Sequence, residues 1–385
     1  MAWPHARGLL VVFSSLLLPG GCKAPASAQN RSAAAHAPAD RPSPVRAAPP
    51  VVAVAAPPAA PASRLWPFKR LYNGDYVDVR AIGERYGLKA SWVVSGRIMT
   101  LADAQGRVRL RFENRNRDFE LDGVRVFIGD NTVLDEGSLY VGKIDVIKTI
   151  VPLLNPAEHA GQLPAPPRLI VLDAGHGGID PGTRNLALHL EEKNVTLDVV
   201  LRLRKLLERR GYRVILTRSD DTKLAVAQRT DLELRAEVAS RAKADLFLSV
   251  HFNSAAPTVT GTETYVMTPQ FQASSGGGKD DVVDKAFPGN RQDFANAVLG
   301  YQLHRSLLAG LKTADRGYKR GRLLVLNFSE CPAALVEPAY LSSPSEGSRL
   351  ATPEFRQQIA GAIADGIDRY SAVLASMRAP GAGPG

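Results

Sequence analysis

Leu169-Ile170-Val171-Leu172-Asp173-Ala174-Gly175-His176-Gly177-Gly178 decides the fold class of the second half of this chain. Leu169 to Leu172 is a run of four apolar residues. It reads as a short strand buried on both faces, and the glycines after it bring the backbone out at the strand's carboxyl end. Downstream, Val195, Val199, Val200, Leu203, Leu206 and Leu207 fall on one helical face, which Gly211 ends. Val214 to Thr217 is the next strand, Leu224 to Lys243 a helix, and Leu246 to Val250 another buried strand. Thr264 to Met267, Leu323 to Leu326 and Ala334 to Val336 read as three more strands, with helices near 291–311 and 353–373. This alternation predicts an α/β domain over residues 168–374, a mainly parallel sheet with helices on both faces.

Upstream the texture changes. Residues 1–22 read as an export signal, with His5 and Arg7 before an apolar stretch from Leu9 to Leu18, too short to span a bilayer as a stable helix. Cys22 stands directly after it, where bacterial lipoproteins carry their lipidated Cys, although Pro19 replaces the usual aliphatic residue. Lipidation there would anchor the protein to a membrane. Residues 23–64 are rich in Ala and Pro and cannot bury a core, so an extended tether is expected. Residues 65–156 contain short strand patterns around one helix at Ile82 to Tyr86 and predict a small α+β domain. A Pro-rich linker at 157–167 and a tail at 375–385 complete the organisation. With Cys22 modified or removed, Cys331 has no disulfide partner and reads as a small buried hydrophobe.

The net charge of +10 favours an anionic partner such as a cell wall or membrane surface. The cluster Arg202, Arg204, Lys205, Arg209, Arg210 and Arg213 reads as the solvated face of a helix. No aromatic residues interleave with it, so no nucleic-acid partner is expected.

An open parallel sheet binds its ligands beyond the carboxyl ends of its strands. His176 follows one strand there, His251 ends Leu246–Val250 and Glu337 ends Ala334–Val336. Glu191 and Glu192 lie at the start of the helix after the glycine-rich turn. Taken singly, each has a plainer reading. The turn could cradle phosphate, the two Glu could complement a helix dipole, and Glu337 could pair with a buried Arg. Together they suit a hydrolytic zinc, which takes three His or carboxylate ligands, leaves a position for water, and needs a further carboxylate to move protons.

Five motifs in order then resemble the zinc-dependent N-acetylmuramoyl-L-alanine amidases of bacteria, over about Arg168 to Tyr370. They are Ile170 to Gly182, Glu192-Lys193 with Leu197, Val214-Ile215-Leu216-Thr217-Arg218 with Asp221, Ala244 to Asn253, and Pro332 to Glu337. The resemblance implies a Zn2+ held by His176, Glu192 and His251, with Lys193 selecting Glu192 over Glu191, and Glu337 as the catalytic base. It implies hydrolysis of the amide between N-acetylmuramic acid and the L-alanine of the peptidoglycan stem, in the periplasm or cell envelope. The rival functions are a zinc peptidase acting on stem peptides and an inert wall-binding protein. Pro338-Ala339-Tyr340 departs from the Gly-Phe usual after the catalytic Glu, which leaves the preferred peptide open. Some members of that family insert a long helix that blocks the zinc. Here Ser274-Ser275-Gly276-Gly277-Gly278 reads instead as a mobile loop within 268–290 that could act as a lid. The 65–156 region resembles the small module named after the N-terminal domain of copper amine oxidases, through Asn73-Gly74-Asp75-Tyr76-Val77, Gly87-Leu88 and Leu139-Tyr140-Val141. It lacks copper ligands.

Overall fold

The structure, a computed structural model, describes residues 65–72, 74–277 and 281–378. The expected export signal, the tether, Cys22 and most of the tail lie outside them.

The first region supplies β1 (Lys69–Leu71), β2 (Gly74–Asp78), β3 (Lys89–Val94), β4 (Ile98–Ala102) and β5 (Val108–Glu113), then β6 (Asp118–Leu121), β7 (Val124–Phe127), β8 (Val133–Asp135) and β9 (Ser138–Gly142). Strands β3 to β7 form an antiparallel meander, while β1, β2, β9 and β8 make a separate four-stranded sheet. The helix Val79–Tyr86 is capped by Asp78, whose carboxylate accepts from the Arg80 N–H at 2.8 Å, and it ends on left-handed Gly87.

The second region carries β10 (Leu169–Ala174), a two-stranded ribbon of β11 (Arg184–Asn185) and β12 (Leu190–Glu191), β13 (Arg213–Leu216), β14 (Leu246–Val250), β15 (Thr262–Met267), β16 (Asp315–Gly321) and β17 (Ala333–Glu337). Strands β13, β10, β14 and β17 are parallel neighbours. Alternate residues of these strands serve opposite layers. Ile170, Leu172, Leu246, Leu248, Ala334 and Val336 pack in a large core with residues of the helices Glu192–Arg209, Asp293–Leu311 and Pro353–Ser376. Val171, Phe247, Ala333 and Leu335 pack with Ala239, Val325 and Leu326 on the other face. Burial on both faces is why these strands are apolar runs rather than alternating ones.

Beyond β17 the sheet changes sense. β15 runs antiparallel to β17, and β16 runs parallel to β15. The carboxyl ends of β10, β14 and β17 therefore meet the amino ends of β15 and β16 along one edge.

One strand expectation is corrected. Leu323–Leu326 is not a strand: Leu324–Asn327 is a short helix, and the strand is the polar segment Asp315–Gly321. A brief apolar run fits either structure, and the charges of β16 hid it although they reach internal partners. Buried Arg320 donates to Thr149 Oγ1 at 2.6 Å, for example. The 157–167 linker is ordered in part. Pro156–Gln162 forms a 3-10 helix whose Glu158 takes Arg85 and Tyr86, both at 2.6 Å, while His159 stacks on Phe294 at 3.9 Å.

The two regions share a sheet, and the loop over 268–290 lies at their seam. Strand β7 runs parallel to β16, with Tyr318 beside Val126, so the meander continues the second sheet into one of eleven strands. The described part of the loop is docked on this seam. Gln272 is buried and donates to Asp145 Oδ1 at 2.5 Å, and the Arg117 guanidinium donates to the carbonyls of Ser274 at 3.0 Å and Gly277 at 2.7 Å. Among its described residues no α-helix precedes Asp293.

Candidate metal centre

The turn after β10 is built around missing side chains. His176 itself sits at φ +63°. A Cβ on Gly175 would come within 2.3 Å of the His251 ring, and one on Gly182 within 2.6 Å of both Glu192 Oε2 and the His176 ring. Those contacts are too close for any side chain, so glycine lets two backbone segments close in on the same point.

Two buried arginines hold this turn from beneath. Arg218 donates to the carbonyls of Ala174 at 2.9 Å, Gly175 at 2.9 Å and Lys193 at 2.7 Å. Arg235 donates to the carbonyls of Ala174 at 2.8 Å and His176 at 2.7 Å. Arg235 also pairs at 2.8 Å with both Asp231 and Asp173, and Asp173 further accepts from Thr217 and Ser249 at 2.6 Å. The Asp173 carboxyl lies below the usual range. Burial opposes that, but Arg235 and the two hydroxyls outweigh it.

His176, Glu192 and His251 converge above the turn. His176 Nε2 is 3.1 Å and His251 Nδ1 3.0 Å from Glu192 Oε1, and the two rings meet edge to face at 4.9 Å. One atom from each of the three lies within 4.8 Å of the others. Bonds of about 2.0–2.1 Å to a tetrahedral ion set ligand atoms roughly 3.3 Å apart, so this donor set fits a metal. Glu192 is 3% exposed, and its other oxygen accepts from the Thr183 N–H at 2.9 Å. Burial raises its pKa, yet the His176 and His251 imidazoles hold the carboxyl well below its ordinary value. Glu191 turns elsewhere, to Arg184 at 3.1 Å. Asp180 stands 3.1 Å from the remaining nitrogen of His176.

Glu337 ends β17 directly opposite Glu263 of β15. Its Oε2 is shielded from solvent and has no hydrogen-bond partner among the described residues. Burial, reinforced by the nearby carboxylates of Glu192 and Glu263, holds its pKa well above the ordinary range.

Sequence reasoning missed Glu263. It is 2% exposed and accepts from Tyr265 and Tyr340 hydroxyls at 2.6 Å and from Asn253 at 3.0 Å, with Lys319 at 2.7 Å and Arg316 at 3.1 Å. The one available signal was a Glu alternating with Thr at the start of β15, just before the expected strand. The expected solvated basic face is present on the Glu192–Arg209 helix and just beyond it. Arg202 pairs with Asp198, Arg204 with Glu208, and Arg210 with Asp365 and Asp368. Cys331 packs against the smaller core, and burial pushes its thiol up to about 11.

Residues 170–369, just over half of the chain, match the family described as N-acetylmuramoyl-L-alanine amidase. The protein YqiI of Bacillus subtilis is 32% identical over 222 residues, which cover 58% of this chain and 91% of that one. The N-acetylmuramoyl-L-alanine amidase AmiA of Escherichia coli is 31% identical over 53% of this chain and 76% of its own length. LytC of Bacillus subtilis, another N-acetylmuramoyl-L-alanine amidase, is 31% identical over 64% of this chain but only 43% of its own length.

Proposed function

Because the chain belongs to the N-acetylmuramoyl-L-alanine amidase family, we propose that it cleaves the amide joining N-acetylmuramic acid to the stem L-alanine of peptidoglycan, with a zinc ion held by His176, Glu192 and His251. A zinc ion bound there supplies a Lewis acid for the scissile carbonyl and lowers the pKa of water. The work of the chain is to hold and to move protons. Glu192 keeps both imidazoles aimed at one point and is itself fixed by the Thr183 N–H. Asp180 stands ready to accept the Nδ1 proton of His176 and so favours the tautomer with a free Nε2. Glu337 takes the proton of the attacking water and passes it to the departing amine of L-alanine. A carboxyl with raised proton affinity suits both halves of that transfer.

The observation that carries this reading is the convergence of three ligand atoms at strand ends beside a carboxylate oxygen that no described residue satisfies. The activity belongs outside the cell membrane. The export-signal pattern of residues 1–22 supports that assignment, and lipidation of Cys22 would keep the enzyme on a membrane facing the wall. An amidase in that place would remodel the wall or separate daughter cells. Incubation of the purified protein with peptidoglycan, and mass analysis of the released fragments, tests it. Free stem peptides that begin with L-alanine are the expected product. Shortened stems on intact muropeptides would show a peptidase, and no release with zinc present would show a wall-binding protein. Glu337→Gln is expected to keep its zinc content and lose activity by about 10²–10⁴-fold. Retained turnover would remove Glu337 from this role.

A further inference from the structure

The proposed proton transfer leaves the charges around Glu263 without a task. Glu337, Glu263, Tyr265 and Lys319 stand on one face of the sheet. Glu263 is directly across from Glu337, and Tyr265 is paired with Lys319. Two hydroxyls, one amide and two cations surround the Glu263 carboxylate, so its two oxygens have no lone pairs to spare.

The cations are not used up in return. An ammonium carries three donors and a guanidinium five. Lys319 meets Glu263 at 2.7 Å and Arg316 meets it at 3.1 Å, and Arg316 also bonds to the side chain of Tyr340, whose ring centroid is 5.3 Å away. Their side chains keep 17% and 39% exposure, so the remaining donors can be reached. A single cation would neutralise Glu263; the second offsets Glu337 when that carboxyl is ionised and is in excess when it holds its proton. Lys319 is further confined between the Tyr265 ring at 5.6 Å and the Phe127 ring at 5.5 Å, the latter from β7. Phe127 also lies where a Cβ on Gly317 would fall, at 2.4 Å. The cation pair is thus positioned from both regions of the chain, beside the carboxylate that moves the proton.

We propose that Arg316 and Lys319, pinned by Glu263 next to Glu337, form a subsite for a free carboxylate of the substrate's stem peptide. The inference rests on the amidase reading above. The stem residue after L-alanine is linked through its side chain, which leaves its α-carboxylate free and only a few bonds from the scissile amide. A planar guanidinium and an ammonium side by side are suited to such a group.

The test uses the zinc-loaded protein and two muramoyl dipeptides that differ only in this group, one with the α-carboxylate and one with the α-carboxamide. The carboxylate substrate is expected to have the higher kcat/KM by about tenfold, the worth of one charge-assisted hydrogen bond. That ratio should fall towards one in Lys319→Met and in Arg316→Met, and Lys319→Arg should recover part of it. A wild-type ratio near one overturns the subsite, whether or not the variants fold. So does a ratio that survives in both Met variants. Hydrolysis of neither peptide overturns the amidase reading instead. The subsite is then judged by calorimetric binding of the two uncleaved peptides to Glu337→Gln, where equal affinities overturn it.

Discussion

At the scale of the residue, the burial of Glu337 comes at a cost in stability. Its carboxyl is raised by burial and by Glu192 and Glu263. A carboxyl with a raised folded pKa binds its proton more tightly in the native state, so its contribution is fully favourable at low pH and is lost as pH rises through the folded value. Metal-free Glu337→Gln should therefore melt above the metal-free wild type at pH 8, and the gap should close as the pH falls towards 4. Thermal unfolding followed by circular dichroism checks this; a gap that stays constant with pH would refute it. His176, His251 and Glu337 are legible in the sequence because each is a polar group emerging from an apolar run at a strand end. Glu192 is not separable from Glu191 on the same grounds. The resemblance selects Glu192 through Lys193, and in the fold Glu192 turns to the imidazoles and Glu191 to Arg184. Glu263 was illegible because nothing local distinguishes a buried carboxylate, satisfied by residues up to 77 positions away, from an exposed one.

At the scale of the element, the helix Gln228–Ala242 matters less for its own packing than for one side chain that it sends to the turn at His176. Arg235 is fully buried, and removing it would strand Asp173 and Asp231 without their cation. Arg235→Met is expected to lower stability by about 3–5 kcal/mol, the usual cost of breaking one side of a buried pair. Adding Asp173→Asn to that variant should restore part of the loss. Denaturant titration measures both, and a loss below about 1 kcal/mol in the single variant would show that the turn does not depend on this clamp. The parallel strands β10, β14 and β17 are readable from sequence because burial on both faces writes them as apolar runs. Strand β16 is not, because its Lys and Arg residues meet partners far along the chain. The helix expected from Leu224 also begins later than its apolar spacing suggests. Asp231 instead accepts from the backbone of Leu224 and Ala225, which caps a loop that runs to Gln228.

At the scale of the whole molecule, composition separates residues 65–156 from the α/β region downstream, but the sheet does not. The parallel pairing of β7 with β16, the Tyr301 hydroxyl donating to the Leu121 carbonyl at 3.0 Å and the buried Arg320 against Thr149 tie both regions into one core. Calorimetry of residues 65–378 should show one cooperative transition; two well-separated transitions would mean that the seam contributes little. The pairing also sets an order of events during synthesis. Arg125, in β7, bonds to Asp315, at the start of β16, across 190 positions of chain. A ribosome must therefore add most of the remaining sequence before the meander acquires its neighbour. Until then β7 is an open edge able to template pairing with other chains, and closing so long a loop makes folding slow.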